Sequence, residues 1–284
     1  MHGELAAVLV EPVQSRSPDI QPRDFLVALR EFATEYGVAL IFDEIVTGFR
    51  IHSGGAQAYF GISADICTYG KVVGGGMTIG IIAGKRRFMD ALDGGDWRFG
   101  DESIPEVGVT YFAGTFIRFP LALAATKAVL LYLKGQGQAL YDRLNERSLR
   151  MAEEINTFLT RTEAPLRLDH FCSMMKPHFF STQPFADLFY VWMRSKGIHI
   201  WDERPCFLTI AHTDEDIQGI ITAFKATVSE MQQAGFFPAP TKLALSVVPP
   251  VKGARIGRDS DGNPAWFVAD ADRPGKFLRV GEVQ

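Results

Sequence analysis

Cysteine is scarce in this chain, with three in 284 residues. Cys67, Cys172 and Cys206 lie far apart, and they form neither a CxxC pair nor any spacing typical of metal ligands. The pattern argues against a disulfide framework and favours a reducing compartment. The sequence therefore predicts a cytoplasmic protein, and it predicts no metal site.

Long hydrophobic runs and an excess of one charge are also missing. No apolar stretch approaches the roughly 18 to 20 residues that a bilayer-spanning helix needs. The first residues, MHGELAAVLVEP, lack the basic segment and long apolar segment of a signal peptide. The 29 Lys and Arg residues nearly balance the 33 Asp and Glu residues, for a formal net charge of -4. We therefore expect neither a membrane nor a nucleic-acid partner.

The first third of the chain alternates strand and helix patterns. Continuous apolar runs at 5–10 and 38–42 predict buried parallel strands, and the stretch 21–37 between them predicts a helix that Gly37 ends. Further strands are predicted at 65–70 and 78–84. This rhythm is typical of an α/β fold with a helix-covered, mostly parallel sheet. Ligands bind at the carboxyl ends of the strands in such sheets.

The rest of the chain has a different pattern. Residues 119–160 predict at least two helices with a break at two glycines, and residues 165–230 predict a small α+β domain. Thr213, followed by three acidic residues, predicts a helix start. From 238 to 284 the chain holds six of its 15 prolines, which predicts an extended linker or tail.

Two stretches carry groups suited to chemistry. Asp43 closes an apolar strand in ALIFDEIVTGFR, and a partly buried carboxylate needs a cation or several donors. The protonated nitrogen of a pyridine ring is such a cation, although capping of the next turn is an open alternative. Lys71 lies between a strand and three glycines in DICTYGKVVGGG. It could form a Schiff base if its amine is desolvated, or it could be an ordinary loop lysine.

Other candidate groups give weaker signals. The histidines show no HExxH or HxH spacing, no nucleotide-phosphate loop motif is present, and the serines lack a nucleophile elbow. Trp201, Asp202, Glu203 and Arg204 form a cluster at a predicted strand end. A solvated turn and a contact near a substrate entrance are both open interpretations of this cluster.

The order of five motifs resembles that of the class III (subgroup II) aminotransferases of fold type I. The motifs are VEPVQSR, LIFDEIVTGFR, GGAQAYFGISADICTYGKVVGGGMTIGIIAG, YFAGTF and FLTIAHTDEDI, and the likeness runs from about residue 4 to about residue 230. The chain is most similar to the branch that contains glutamate-1-semialdehyde aminomutase and the aminotransferase domains of hybrid polyketide–peptide synthetases. The resemblance implies part of a large α/β cofactor domain (1–135), a C-terminal α+β domain (136–237) and a tail (238–284).

The resemblance also implies the cofactor, pyridoxal 5'-phosphate (PLP), and its ligands. Lys71 matches the Schiff-base lysine, which also moves the proton between the substrate and the cofactor. Asp43 matches the acid that pairs with the pyridine nitrogen, and Ile45 matches the apolar residue on one face of the ring. Thr115 matches the threonine that reaches the phosphate in the neighbouring subunit, which implies a homodimer with shared sites.

The implied reaction is transamination from a donor such as glutamate to a keto or aldehyde acceptor. QSRSPD and FIRFP stand where an aminomutase would show GN, which favours a carrier-bound β-ketoacyl acceptor. A free-standing aminomutase is one alternative. Another is an inactive structural segment, because the upstream third of the family, with its phosphate loop, has no counterpart and the chain resembles a truncated fragment. Glu11 and Gln57 lie in family motifs, and salt bridging or packing is the expected role of both.

Overall fold

The computed structural model describes residues 4–180, 183–240, 251, 254–258, 264–270, 273 and 276–282. Its strands are β1 (Ala7–Val10), β2 (Ala39–Asp43), β3 (Ile66–Tyr69), β4 (Ile81–Gly84), β5 (Leu166–Phe171), β6 (Met174–Phe179), β7 (Cys206–Phe207), β8 (Arg255–Arg258), β9 (Pro264–Ala269) and β10 (Phe277–Glu282). Its α-helices are α1 (Arg23–Glu35), α2 (Gly55–Phe60), α3 (Arg86–Asp93), α4 (Pro120–Gln136), α5 (Gln138–Arg161), α6 (Ala186–Ser195) and α7 (Asp214–Gln233).

The first third forms a four-stranded sheet in the order β1-β2-β3-β4. The first three strands are parallel, and β4 runs antiparallel to β3. A mixed, mostly parallel sheet is therefore confirmed. The predicted full burial of the first strand is wrong, because β1 is an edge strand and Leu9 within it is 63% exposed.

The core beside this sheet is built from β2 and from helix α1. Leu40 and Phe42 of β2 are fully buried, and Leu26 and Ala33 of α1 pack in the same cluster. Phe25, which the helical pattern places in the same apolar stripe, is instead 56% exposed. The alternation of residues along the strand therefore predicts the buried side chains of this core more accurately than the apolar stripe of the helix does.

Two long helices follow, as predicted, and they meet at Gly137. This residue has a φ of 64°, a conformation that glycine adopts without steric penalty, so the chain can end α4 and begin α5 at one position. Helix α5 packs along β5 and α7 and starts a second core. That core contains mostly residues of the α+β part, including Phe189, Tyr190 and Phe224.

The α+β part holds an antiparallel sheet in the order β5-β6-β7. The predicted strand over CFLTIAH is only two residues long, Cys206–Phe207. Phe171 and Met174, at the turn between β5 and β6, pack in the first core rather than the second. The hairpin therefore joins the two cores, and the predicted domain boundaries at 135 and 237 stay predictions.

The last described residues differ from the predicted extended tail. Strands β8, β9 and β10 form an antiparallel three-stranded sheet, although residues 241–250 and other parts of the predicted tail lie outside the described residues. Ala265 and Trp266 of β9 are buried. Among the helices that the structure describes, none combines the length and the apolar character needed to cross a membrane.

The start of α7 confirms the predicted cap. The Thr213 hydroxyl accepts the Asp216 N–H at 3.1 Å, and the Asp216 carboxylate accepts the Thr213 N–H at 2.7 Å. We expect Thr213→Ala to lower the free energy of unfolding by about 1 kcal/mol, because the Asp216 N–H loses the hydroxyl that accepts it. Urea denaturation measures this change. The matched control is Thr222→Ala in the same helix, whose hydroxyl bonds only the Gln218 carbonyl, and an equal loss in both variants would contradict the cap.

Candidate active site

Asp43 is fixed at the carboxyl end of β2 by two hydrogen bonds to one oxygen. Its Oδ1 accepts the Thr68 hydroxyl at 3.2 Å and the Ile45 N–H at 3.0 Å. Thr68 is the residue paired with Asp43 across the parallel strands β2 and β3. No group among the described residues donates to the second oxygen, Oδ2. The strand pair therefore orients this carboxylate and leaves one oxygen for a further donor.

Lys71 lies just beyond β3, at the same sheet edge as Asp43. It begins a short 3₁₀ helix, Lys71–Gly74, with a φ of 48°, and its side chain is exposed. This left-handed conformation is uncommon for a residue other than glycine and must be held by its surroundings. Because β2 and β3 are parallel, their carboxyl ends lie at one edge. The structure thus brings the acid and the amine to neighbouring strand ends, as the sequence predicts.

Gly70, directly before Lys71, lies close to two neighbouring residues. A Cβ at this position would lie 3.2 Å from the Ile79 carbonyl oxygen and 3.7 Å from the Ile45 Cγ2 atom. A side chain here would crowd the surface beside Ile45. The open oxygen of Asp43, the apolar side chain of Ile45 and the exposed amine of Lys71 thus follow the ends of two neighbouring strands, and these types of group suit a protonated pyridine ring that carries an aldehyde.

Glu44, the second acid of the motif, lies on the opposite face of the chain and has a different role. It is fully buried, and its carboxylate accepts the N–H groups of Ala56 at 2.6 Å and Gln57 at 3.2 Å and the Thr47 hydroxyl at 3.0 Å. Burial raises the pKa of Glu44, and these hydrogen bonds offset part of that rise. The sequence interpretation missed this residue, although the alternation of side chains along a strand predicts opposite faces for adjacent acids.

Gln57 and Glu11 make local hydrogen bonds. Gln57 donates from Nε2 to the Tyr69 hydroxyl at 3.2 Å and accepts the Ala64 N–H at 2.9 Å. Glu11 accepts the Ser15 N–H at 3.2 Å. These three hydrogen bonds organise the structure around them, which agrees with packing rather than chemistry as the role of each residue.

Thr115 lies apart from the other predicted ligands. It belongs to the stretch between α3 and α4 that contains neither helix nor strand, and its side chain is exposed. The described contacts do not join it to Asp43, Ile45 or Lys71. Its assignment to the phosphate of a neighbouring subunit stays a prediction.

The cluster at 201–204 forms a turn in the α+β part. The Arg204 guanidinium lies 5.4 Å from the Trp201 ring centroid, and Asp202 pairs with Arg194 at 3.2 Å. A cleft of about 600 Å³ borders this turn, between α7 and residues 197–208. Neither Asp43 nor Lys71 lines it. This cleft therefore lies away from the predicted cofactor site, and a role of the cluster at a substrate entrance stays open.

The α/β fold is that of the fold type I transaminases, and three comparisons agree. The chain belongs to the class-III aminotransferase family, whose model matches residues 1–206. It is 35% identical over 243 residues to a glutamate-1-semialdehyde 2,1-aminomutase of Nitratidesulfovibrio vulgaris, which covers 80% of this chain and 53% of that protein. The chain thus spans about half the length of the curated relatives that it matches.

Solved structures show the same fold. A β-phenylalanine aminotransferase from Variovorax paradoxus superposes with a TM-score of 0.72 and 26% identity, over 84% of this chain and 55% of that one. A transaminase with PLP bound superposes with a TM-score of 0.71 and 26% identity, over 82% and 54%. The predicted family and fold class are confirmed, and the family together with the related structure that holds PLP indicates PLP as the cofactor.

Proposed function

We propose that this chain contributes the lysine-bearing half of a PLP-dependent aminotransferase site. The observation that carries the proposal is the placement of Asp43 and Lys71 at adjacent parallel strand ends, with Asp43 Oδ2 open. PLP, when bound, supplies the electron sink that stabilises a carbanion at the substrate carbon. The protein residues then have to bind the ring, keep its nitrogen protonated and move one proton.

Each of these tasks falls to a named group. Asp43 Oδ2 would accept the pyridine N–H and keep the proton there, while Thr68 and the Ile45 N–H fix the carboxylate through Oδ1. Ile45 would pack against the ring. Lys71 would hold the cofactor through Nζ, and its amine, when free, would take up and return the proton. Thr115 would bind the phosphate in a second subunit, so the working form would be a homodimer.

The substrates that we propose are glutamate as the donor and a keto or aldehyde compound as the acceptor. A β-ketoacyl group on a carrier protein is the acceptor favoured by QSRSPD and FIRFP. The name of the Variovorax relative, a β-phenylalanine aminotransferase, supports an amine at the β position. The chain would then be a piece of a cytoplasmic synthetase. Its activity on β-ketoacyl carrier thioesters, compared with free keto acids, tests this choice.

A glutamate-1-semialdehyde 2,1-aminomutase is the second candidate. The 35% identity to the Nitratidesulfovibrio protein favours it, whereas the absence of GN at the two variant motifs favours transamination. The two functions differ in their need for an external donor. Conversion of glutamate-1-semialdehyde without added glutamate would favour the aminomutase.

The cofactor assignment is tested by trapping. The chain is incubated with PLP, reduced with borohydride, and digested for mass spectrometry. We expect one phosphopyridoxyl group, on Lys71. An adduct spread over exposed lysines such as Lys127 and Lys134, or no adduct at all, would contradict the site and favour an inert structural segment.

A further inference from the structure

The two adjacent acids after β2 are held in opposite ways. Asp43 keeps one oxygen open, whereas Glu44 is 0% exposed and accepts three hydrogen bonds. Two of those bonds come from the first turn of α2, at Ala56 and Gln57. Glu44 therefore ties the loop after β2 to the helix that follows it.

Two glycines of this loop lie where a side chain would collide with a neighbour, one with Glu44 and the other with Tyr69 of β3. Gly55 has a φ of 66°, and a Cβ there would meet the Glu44 carboxylate. A Cβ on Gly48 would lie 2.5 Å from the Tyr69 ring. The loop consequently packs against Tyr69 at Gly48, where only a residue without a side chain fits.

Helix α2 then connects the loop to β3, the strand that precedes Lys71. Gln57, whose N–H binds Glu44, donates from its side chain to the Tyr69 hydroxyl at 3.2 Å. The Phe49 ring also packs on the Tyr69 ring, with centroids 5.3 Å apart. Tyr69 is the last residue of β3, and it lies two residues before Lys71. Its side chain is held from both sides by the loop that Glu44 organises.

This arrangement is important because Lys71 has a strained backbone. A residue other than glycine keeps a φ of 48° only when neighbouring contacts hold it there. After Tyr69 the chain runs through an extended Gly70, which has no side chain of its own to anchor it. Tyr69 is therefore the side chain nearest to Lys71 on the strand side that can fix its position.

We propose that Glu44 is a positioning residue for Lys71, acting through α2, Gln57 and Tyr69. The inference rests on the proposed function for its PLP-binding measurement, whereas its hydrogen-exchange measurement does not depend on that function. The Glu44 carboxylate, Gln57 and Tyr69 hold the backbone of Gly70 and Lys71 at the carboxyl end of β3. Glu44 itself touches neither cofactor nor substrate.

Three variants test this role. Glu44→Gln keeps the shape but turns an N–H₂ group toward the N–H donors of α2. Tyr69→Phe removes only the hydroxyl that Gln57 binds. Glu11→Gln is the matched control, since this glutamate also follows a strand, β1, but accepts a single N–H from Ser15.

The first readout is hydrogen exchange of residues 70–76 without PLP, and the second is the dissociation constant for PLP. We expect Glu44→Gln to raise the exchange rate about tenfold and to weaken PLP binding about tenfold. A change of this size corresponds to the loss of hydrogen bonds to a charged group. Tyr69→Phe should change both about threefold in the same direction. Glu11→Gln should leave both within about twofold.

The outcomes separate the two proposals. Faster exchange confined to residues 54–60, with residues 70–76 unchanged, would overturn the positioning role and leave Glu44 as a local helix cap. If the parent chain binds no PLP, the proposed function fails, and exchange at residues 70–76 still decides the role of Glu44. If Glu44→Gln does not fold, Tyr69→Phe decides: an unchanged rate at residues 70–76 overturns the inference.

Discussion

Replacement of Lys71 by alanine is expected to abolish covalent capture of PLP and to lower transamination about 10³-fold or more. The loss has two parts, because the variant lacks both the amine that holds the cofactor and the group that moves the proton. The side chain is exposed, so the free energy of unfolding should change by less than about 0.5 kcal/mol. Borohydride reduction with peptide mapping measures the first effect, and product formation from glutamate measures the second.

Two matched variants separate the chemistry of Lys71 from its charge and from the general removal of a lysine. Lys71→Arg keeps a cation at the position but lacks a nucleophilic amine, so it should lose the adduct as completely as the alanine variant. Lys127→Ala removes an exposed lysine on α4 and should keep the adduct. A phosphopyridoxyl group on another lysine of the Lys71→Ala variant would contradict the assignment.

The placement of Asp43 and Lys71 could be predicted from the sequence because it depends on strand order and strand ends. The apolar run at 38–42 and the strand predicted at 65–70 are each followed by a polar residue, and a parallel pair of such strands has its carboxyl ends at one edge. The pairing of Asp43 with Thr68 confirms that geometry. The family resemblance added the cofactor, which a carboxylate and a lysine do not specify by themselves.

The roles of Glu44 and Tyr69 could not be predicted because they depend on how a loop folds back. Glu44 contacts the N–H groups of residues 12 and 13 positions later, and only the path of the loop through Gly48 and Gly55 brings them together. Loop paths of this kind have no periodic signal. The sequence therefore singled out Asp43 and gave no role to Glu44, which the structure buries completely.

Two errors in the fold prediction have a related cause. The apolar run at residues 5–10 reads as a buried strand, but burial depends on which segments pack beside it, and within the described residues β1 pairs with β2 alone. The strands β8, β9 and β10 are short, and the prolines around them favour a tail in any local interpretation. Both features depend on which segments pair, which composition does not determine.

Asp65 is a buried acid at the opposite end of β3 from Lys71, and it holds three cations. Its side chain is fully buried, and it pairs with Arg30 at 2.8 Å, Lys85 at 2.7 Å and Arg87 at 3.4 Å. It also accepts the Leu40 N–H at 2.9 Å. Burial alone would raise the pKa of Asp65, but the Leu40 hydrogen bond and the pairs with Lys85 and Arg30 outweigh it and hold the pKa well below its ordinary value.

We therefore expect Asp65→Ala to lower the free energy of unfolding by about 3 kcal/mol, near the lower end for a broken buried ion pair. The lower end applies because Lys85 and Arg87 are half-exposed and regain water. Asp65→Asn should lose less, since the amide oxygen still accepts the Leu40 N–H. Asp96→Ala is the control, because Asp96 pairs with Arg86 on the exposed surface, and its removal should leave the free energy of unfolding nearly unchanged.

The pH dependence of stability gives the second readout for Asp65. A carboxyl group with a lowered pKa in the folded state stabilises the protein above its unfolded pKa, which is ordinarily 3.8, and loses that contribution as the pH falls below it. Urea denaturation between pH 7 and pH 3 should therefore show a steeper loss of stability in the parent chain than in Asp65→Asn. Parallel curves for the two proteins would mean that the charge of Asp65, and with it the three ion pairs, contributes nothing to the fold that presents Lys71.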